Sequence, residues 1–180
     1  MGLLPGPPPA ALHSHLRGHL SAPRFLIALG SNCRLPDIGL PRAVVAHAMD
    51  RLEETAGQVV ARSPIIDSRP VGPSRRTFAN SAVVIESELA PPAMLALLQD
   101  LEVQMGRKRR GQRWGPRTLD LDIVLWSGGL HASPGLRIPH PLFGQRFFVT
   151  GPAAAIAPDW RDPATGLSVA QINSRLSKPR

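Results

Sequence analysis

The run Leu119-Asp120-Leu121-Asp122-Ile123-Val124-Leu125-Trp126 does most to limit what this chain can become. It alternates from Leu119 to Ile123 and then turns continuously apolar. A strand sends successive side chains to opposite faces, so the pattern reads as a strand that becomes buried on both faces. Residues two apart share a face, roughly 6.5–7 Å from each other. Asp120 and Asp122 therefore point one way, and Leu119, Leu121, Ile123 and Leu125 the other. Val124 and Trp126 carry the acidic face into apolar cover. Two carboxylates side by side at the mouth of a buried strand repel, and their ionised forms are favoured when a cation sits against them. A hard divalent ion such as Mg²⁺ takes one or two carboxylates plus substrate phosphates, and it meets that need.

A basic loop comes just before the strand: Arg107, Lys108, Arg109, Arg110, Arg113 and Arg117. Acids that hold a metal beside guanidiniums that hold an anion are what phosphoryl transfer requires. By spacing alone, a second reading stands beside it: a solvated basic turn followed by two salt-bridged aspartates. The net charge of +8 also points to an anionic ligand, whether nucleotide, nucleic acid or an acidic surface. The sequence has neither a Gly-x-x-x-x-Gly-Lys-Ser/Thr loop nor a dinucleotide glycine fingerprint, so bound ATP would rest its phosphates on the arginines.

The order of elements sets the fold. A strand at Arg24–Leu29 ends in the turn Gly30-Ser31-Asn32. Pro41 opens a helix with the stripe Val44, Val45, Ala48, Met49, Leu52 and a stop at Gly57. A strand follows at Val59–Asp67, then a long loop at Ser68–Ala79, then a strand at Asn80–Glu88. Pro91 and Pro92 open a second helix that stops at Gly106. With Leu119–Trp126 this makes β-α-β-β-α-β, the pattern of an α+β ferredoxin-like sandwich. Leu119–Trp126 and Phe25–Leu29 are expected among its central strands. Appended to it are a loop or small hairpin over 127–138 and C-terminal helices near 147–156 and 168–176. Residues 1–23, Pro-rich and acid-free, read as a disordered extension, and 24–180 as one domain.

Arg113-Trp114-Gly115-Pro116-Arg117-Thr118-Leu119-Asp120-Leu121-Asp122-Ile123 resembles the signature of the 6-hydroxymethyl-7,8-dihydropterin pyrophosphokinase family of the folate pathway. Other pieces match it in order: Ala28-Leu29-Gly30-Ser31-Asn32, Pro70-Val71-Gly72-Pro73, Phe78-Ala79-Asn80, Ile138-Pro139-His140-Pro141 and Arg146-Phe147-Phe148-Val149. The resemblance implies transfer of pyrophosphate from ATP to the pterin's hydroxymethyl oxygen, giving AMP and the pterin diphosphate. It implies two Mg²⁺ ions on Asp120 and Asp122, with Arg107 and Arg117 as the catalytic arginines. It also implies a pterin site at Ser68, Val71, Phe78, Asn80 and Phe148, where stacking faces and an amide edge suit a flat polar ring. Phe78 stands where the family commonly has Tyr. ATP would be met by Gln99, Glu102, Arg109, Trp114, Ile123, His140 and Arg146. For Glu102 two roles stay open, the adenine side or pairing with an arginine. The Arg107–Arg117 loop is expected to close over bound ATP.

The rival class is a basic ferredoxin-like RNA-binding module. The paired aromatics of an RNA-binding consensus are not visible, and bare carboxylates repel a phosphate backbone. No apolar run approaches the ~20 residues of a membrane span. The lone Cys33 forms no internal disulfide and suits a reducing cytosol. The expectation is therefore a cytoplasmic monomer that binds ATP and the pterin, with no nucleic acid and no membrane partner.

Overall fold

The computed structural model describes residues 22–69, 76–107 and 117–177. The expected extension over 1–23 lies almost wholly outside them, as does most of the arginine loop. Strand β1 spans Arg24–Ser31 and helix α1 Pro41–Thr55. Strands β2, β3 and β4 span Gln58–Arg62, Ile66–Ser68 and Phe78–Glu86. Helix α2 spans Pro91–Gln104 and strand β5 Asp120–Trp126. A hairpin of β6 (His131–Ser133) and β7 (Leu136–Ile138) follows. Helices α3 (Phe147–Ile156) and α4 (Val169–Ser177) end the fold.

The main sheet runs β2-β4-β1-β5 with every pairing antiparallel, and β3 also pairs with β4. This is the ferredoxin-like α+β order. The expected central position of β1 is met, but β5 ends the path instead of lying inside it. Beyond β5 the His140 N–H reaches the Val124 carbonyl at 3.0 Å and occupies part of that edge.

Apolar side chains cover both faces. Phe25, Ile27, Leu29, Val83 and Ile85 meet Val44, Leu52, Met94 and Leu98 of α1 and α2. Leu26, Ala28, Val84 and Leu125 meet Val149, Ala153, Val169 and Ile172 of α3 and α4. Each Val, Leu, Ile, Phe or Met among them contributes about 1.5–3 kcal/mol on full burial. Two covered faces explain why Phe25–Leu29 and Ala79–Ile85 read as unbroken burial.

Two strands depart from the expected pattern. The single strand expected over Val59–Asp67 is two, because Pro64 has no N–H to give to the ladder. Ser63 bridges the gap, accepting the Ala82 N–H on its Oγ at 2.9 Å and donating its own N–H to the Ala82 carbonyl. In β5 the register jumps between Leu125, opposite Leu26, and Ile123, opposite Ile27, leaving Val124 as an extra residue. That bulge reverses the alternation. Leu125 joins the α3/α4 face, and Trp126 stacks on Phe25 with ring centroids 6.2 Å apart.

Gly57, between α1 and β2, has φ +137°, and a Cβ there would lie 2.2 Å from the Glu86 carbonyl oxygen. Only glycine makes that crossing. Among the described residues no helix is long and apolar enough to cross a membrane.

Candidate active site

The floor of the site is a row across three strands. Gly30 is the register partner of both Asn80 on β4 and Asp120 on β5, and Ala28 is the partner of both Ala82 and Asp122. Small residues in the middle strand leave a hollow between the polar ones. A Cβ on Gly30 would sit 3.4 Å from Asn80 Oδ1. A cavity of about 500 Å³ opens above this row, closed on the far side by the start of α3.

Four of the five residues expected to hold the pterin line this cavity: Ser68, Phe78, Asn80 and Phe148. β3–β4 pairing sets Ser68 opposite Phe78, and the Asn80 amide donates to Ser68 Oγ at 2.8 Å. Phe148 stands in the first turn of α3, with the Arg146 guanidinium 5.9 Å from its ring centroid. Val71 lies outside the described residues. Asp120, Asp122, Arg117 and Arg146 line the same space, so aromatic and charged residues share one chamber.

Asp120 is gripped from two sides. Its Oδ1 accepts from Arg107 at 2.7 Å and its Oδ2 from Arg117. Arg107 also pairs with Glu102, whose Oε1 accepts the Leu121 N–H at 2.8 Å. Of the two roles open for Glu102, the structure therefore places its carboxylate on an arginine and a strand amide. Burial pushes its carboxyl up to about 7, against the pull of the Leu121 N–H and Arg107. Burial also raises Asp122, and the Asp120 charge adds to the shift. His140, Arg146 and Arg117 act the other way.

Other expected ATP contacts are placed differently. The side chain of Ile123 is buried among α1 and α2, on the sheet face away from the cavity. It follows the alternation, so only its backbone could reach a ligand there. Gln99 lies on α2, three residues before Glu102, and does not line the cavity. Nor does Arg107, which acts from the cavity's edge through Asp120. His140 is half-buried, and its Nδ1 accepts the Leu142 N–H at 3.2 Å. Arg109 and Trp114 fall outside the described residues. Gly30, Arg69, Gln145 and Phe147 line the cavity without having been given a site role from the sequence. Gly30 and Phe147 lay within pieces that match the family, and Arg69 and Gln145 carried no signal.

The acids fit a metal of one kind. Among the described residues no group of three or more His, Cys, Asp or Glu side chains could cage an ion. Two carboxylates on one face, with Asp122 raised by burial and by its neighbour's charge, suit Mg²⁺, which completes its shell with water and phosphate oxygens.

Residues 26–158, well over half of the chain, match the model of the 7,8-dihydro-6-hydroxymethylpterin-pyrophosphokinase (HPPK) family. The chain belongs to this family. A 2-amino-4-hydroxy-6-hydroxymethyldihydropteridine pyrophosphokinase of Pseudomonas aeruginosa is 43% identical over 141 residues, covering 78% of this chain and 84% of that one. One from Bacillus subtilis is 36% identical over 156 residues, covering 86% and 90%. A crystal structure of Plasmodium falciparum HPPK-DHPS superposes with a TM-score of 0.66 at 11% identity, a likeness of fold. It covers 85% of this chain, which spans only 43% of that longer one. The HPPK match takes in every described residue that lines the cavity.

Proposed function

We propose that this HPPK-family chain transfers the terminal pyrophosphate of ATP to the hydroxymethyl oxygen of 6-hydroxymethyl-7,8-dihydropterin, a step of folate biosynthesis. The observation that carries the reading is the shared cavity. It brings Phe78, Phe148 and Asn80 together with Asp120, Asp122, Arg117 and Arg146, over a floor without side-chain bulk at Gly30.

The chain's own residues bind and orient. Phe78 and Phe148 sandwich the ring, and Asn80 with Ser68 reads its edge, joined by the backbone around Val71. The hydroxymethyl arm then lies toward Asp120 and Asp122. The hydroxyl oxygen bonds to the β-phosphorus, the bond from that phosphorus to the α-phosphate bridge breaks, AMP departs with the electron pair, and the hydroxyl proton is released to solvent. Arg107 and Arg117 follow the charge as it moves, a task for which a planar guanidinium fork is suited. Gln99, Arg109, Trp114, His140, Arg146 and the Ile123 backbone hold the nucleotide. Asp120 and Asp122 would hold Mg²⁺, two ions in the full reading, which neutralises the polyphosphate. The chain acts as a monomer, with its single catalytic domain beginning at residue 24.

The RNA-binding alternative needs an open sheet face carrying aromatics. Here α1 and α2 cover one face of the sheet and α3 and α4 pack on the other. Formation of AMP from ATP, Mg²⁺ and the reduced pterin alcohol tests the proposal. Absence of AMP together with salt-dependent RNA binding would replace it.

A further inference from the structure

Arg117 is the residue at which the described chain resumes after the arginine loop, and its backbone is held at two points by one residue. The Asn32 N–H donates to the Arg117 carbonyl at 3.1 Å, and the Arg117 N–H donates to the Asn32 side-chain Oδ1 at 2.8 Å. The β1–β5 ladder has its last register pair at Gly30 and Asp120. The Asn32 pair lies beyond it, and there a side-chain amide oxygen takes the place that a strand carbonyl would fill. Asn32 is buried, 4% exposed. Its Oδ1 also accepts from Cys33 Sγ at 3.2 Å, and that sulfur lies 3.5 Å from an Arg76 guanidinium nitrogen.

We propose that Asn32 is a positioning residue for the transferred pyrophosphate: it fixes the Arg117 backbone so that its guanidinium enters the cavity beside Asp120. The inference rests on the pyrophosphokinase reading. An arginine side chain has a long flexible stem, so its head is placed only as well as its Cα. Arg117 lines the cavity and pairs with Asp120, so a loose backbone would let the guanidinium follow the carboxylate without meeting the phosphate. Asn32 touches no cavity space itself and acts through Arg117. The Cys33–Arg76 contact ties the same turn to the chain just after the 70–75 segment, so the two ends of the site share one anchor.

The test is steady-state AMP formation by the full chain carrying Asn32→Ala, Asn32→Asp, Arg117→Ala, and Asn32→Ala with Arg117→Ala. Asn32→Ala is expected to lower kcat about 10- to 100-fold, the scale of a small misplacement, with the pterin KM within about twofold of wild type. Asn32→Asp keeps an acceptor oxygen for the Arg117 N–H and recovers most of the turnover. In the Arg117→Ala background, Asn32→Ala should cost less than about threefold, because the residue it serves is gone. An equal cost in both backgrounds, or no rescue by Asp, overturns the proposal.

Should Asn32→Ala not fold, amide exchange in the wild-type protein decides. The Arg117 N–H must be protected, and exchange at the rate of an open loop refutes the clamp. That measurement needs no turnover. An inactive wild type with a protected amide would sink the pyrophosphokinase reading and leave the clamp standing.

Discussion

The buried carboxylate of Glu102 accepts the backbone N–H of Leu121 at 2.8 Å, pinning the end of α2 to the start of the acidic strand. The same oxygen meets Arg107, which in turn holds Asp120. One α2 side chain therefore sets both the strand that bears the acids and an arginine that faces them.

Removing that anchor should cost stability first. Glu102→Ala leaves a buried N–H unpaired and is expected to destabilise the fold by about 1–3 kcal/mol. Glu102→Gln keeps an acceptor and should lose less. Urea unfolding of both at pH 6 checks the order, and equal losses would contradict it.

The same group predicts a pH dependence. Folding raises the Glu102 carboxyl from 4.5 to about 7. Between those values the folded state holds a proton that the unfolded chain releases, so this group's contribution to stability is full below about 4.5, falls as pH climbs, and levels off above about 7. Asp122 is raised too, and it slopes the same way. Glu102→Gln should flatten, without abolishing, the decline in melting temperature across that window. A decline as steep as that of wild type would remove Glu102 as its source.

Asp122 should trade stability for function. Its charge is disfavoured by burial and by Asp120. Asp122→Asn is expected to raise the melting temperature above neutral pH while lowering AMP formation at least about 100-fold, as loss of a principal electrostatic group does. Asp120→Ala should lose a similar share of turnover. It should gain no stability, because Arg117 loses the carboxylate it pairs with and Arg107 loses one of its two. Paired melting and turnover measurements separate the two.

Both Asp120 oxygens are occupied by guanidiniums. A divalent cation arriving alone has to compete with them. Arg117→Ala should tighten Mn²⁺ binding, followed by electron paramagnetic resonance without nucleotide, by about tenfold or more, the order expected for removing a unit charge near 4 Å. Arg146→Ala, which removes a cavity charge that makes no ion pair with Asp120, should do less. Equal effects would mean simple charge and no competition.

For the ring, Phe148→Ala should raise the pterin KM by roughly tenfold and the ATP KM by less, from lost aromatic contact and burial. Isothermal titration with the pterin alone reads the same loss.

The helices were legible because their apolar stripes and prolines are local signals. Pro41, Pro91 and Pro92 stand at the starts of α1 and α2, and α3 falls on the expected residues 147–156. The residues proposed for the pterin were legible only through the family resemblance, since Ser68, Phe78 and Asn80 meet by strand pairing and Phe148 joins them from α3. What stayed hidden is non-local. The Val124 bulge reverses which side Leu125 and Trp126 face, and alternation cannot register an extra residue. The position of β5 at the sheet end depends on its partners, not its composition. The bond from Arg117 to Asn32 spans 85 residues, and a turn-forming Gly-Ser-Asn gives no hint of it.

The row Asn80, Gly30, Asp120 is also a ruler. Two interstrand spacings, roughly 9.5 Å in all, separate the outer backbones, and hydrogen-bonded strands hold that span far more rigidly than a loop could. On the proposed reading, that row gauges the reach of the acceptor alcohol. A ring whose hydroxyl hangs on a longer tether would dock at one end of the scale and overshoot the other.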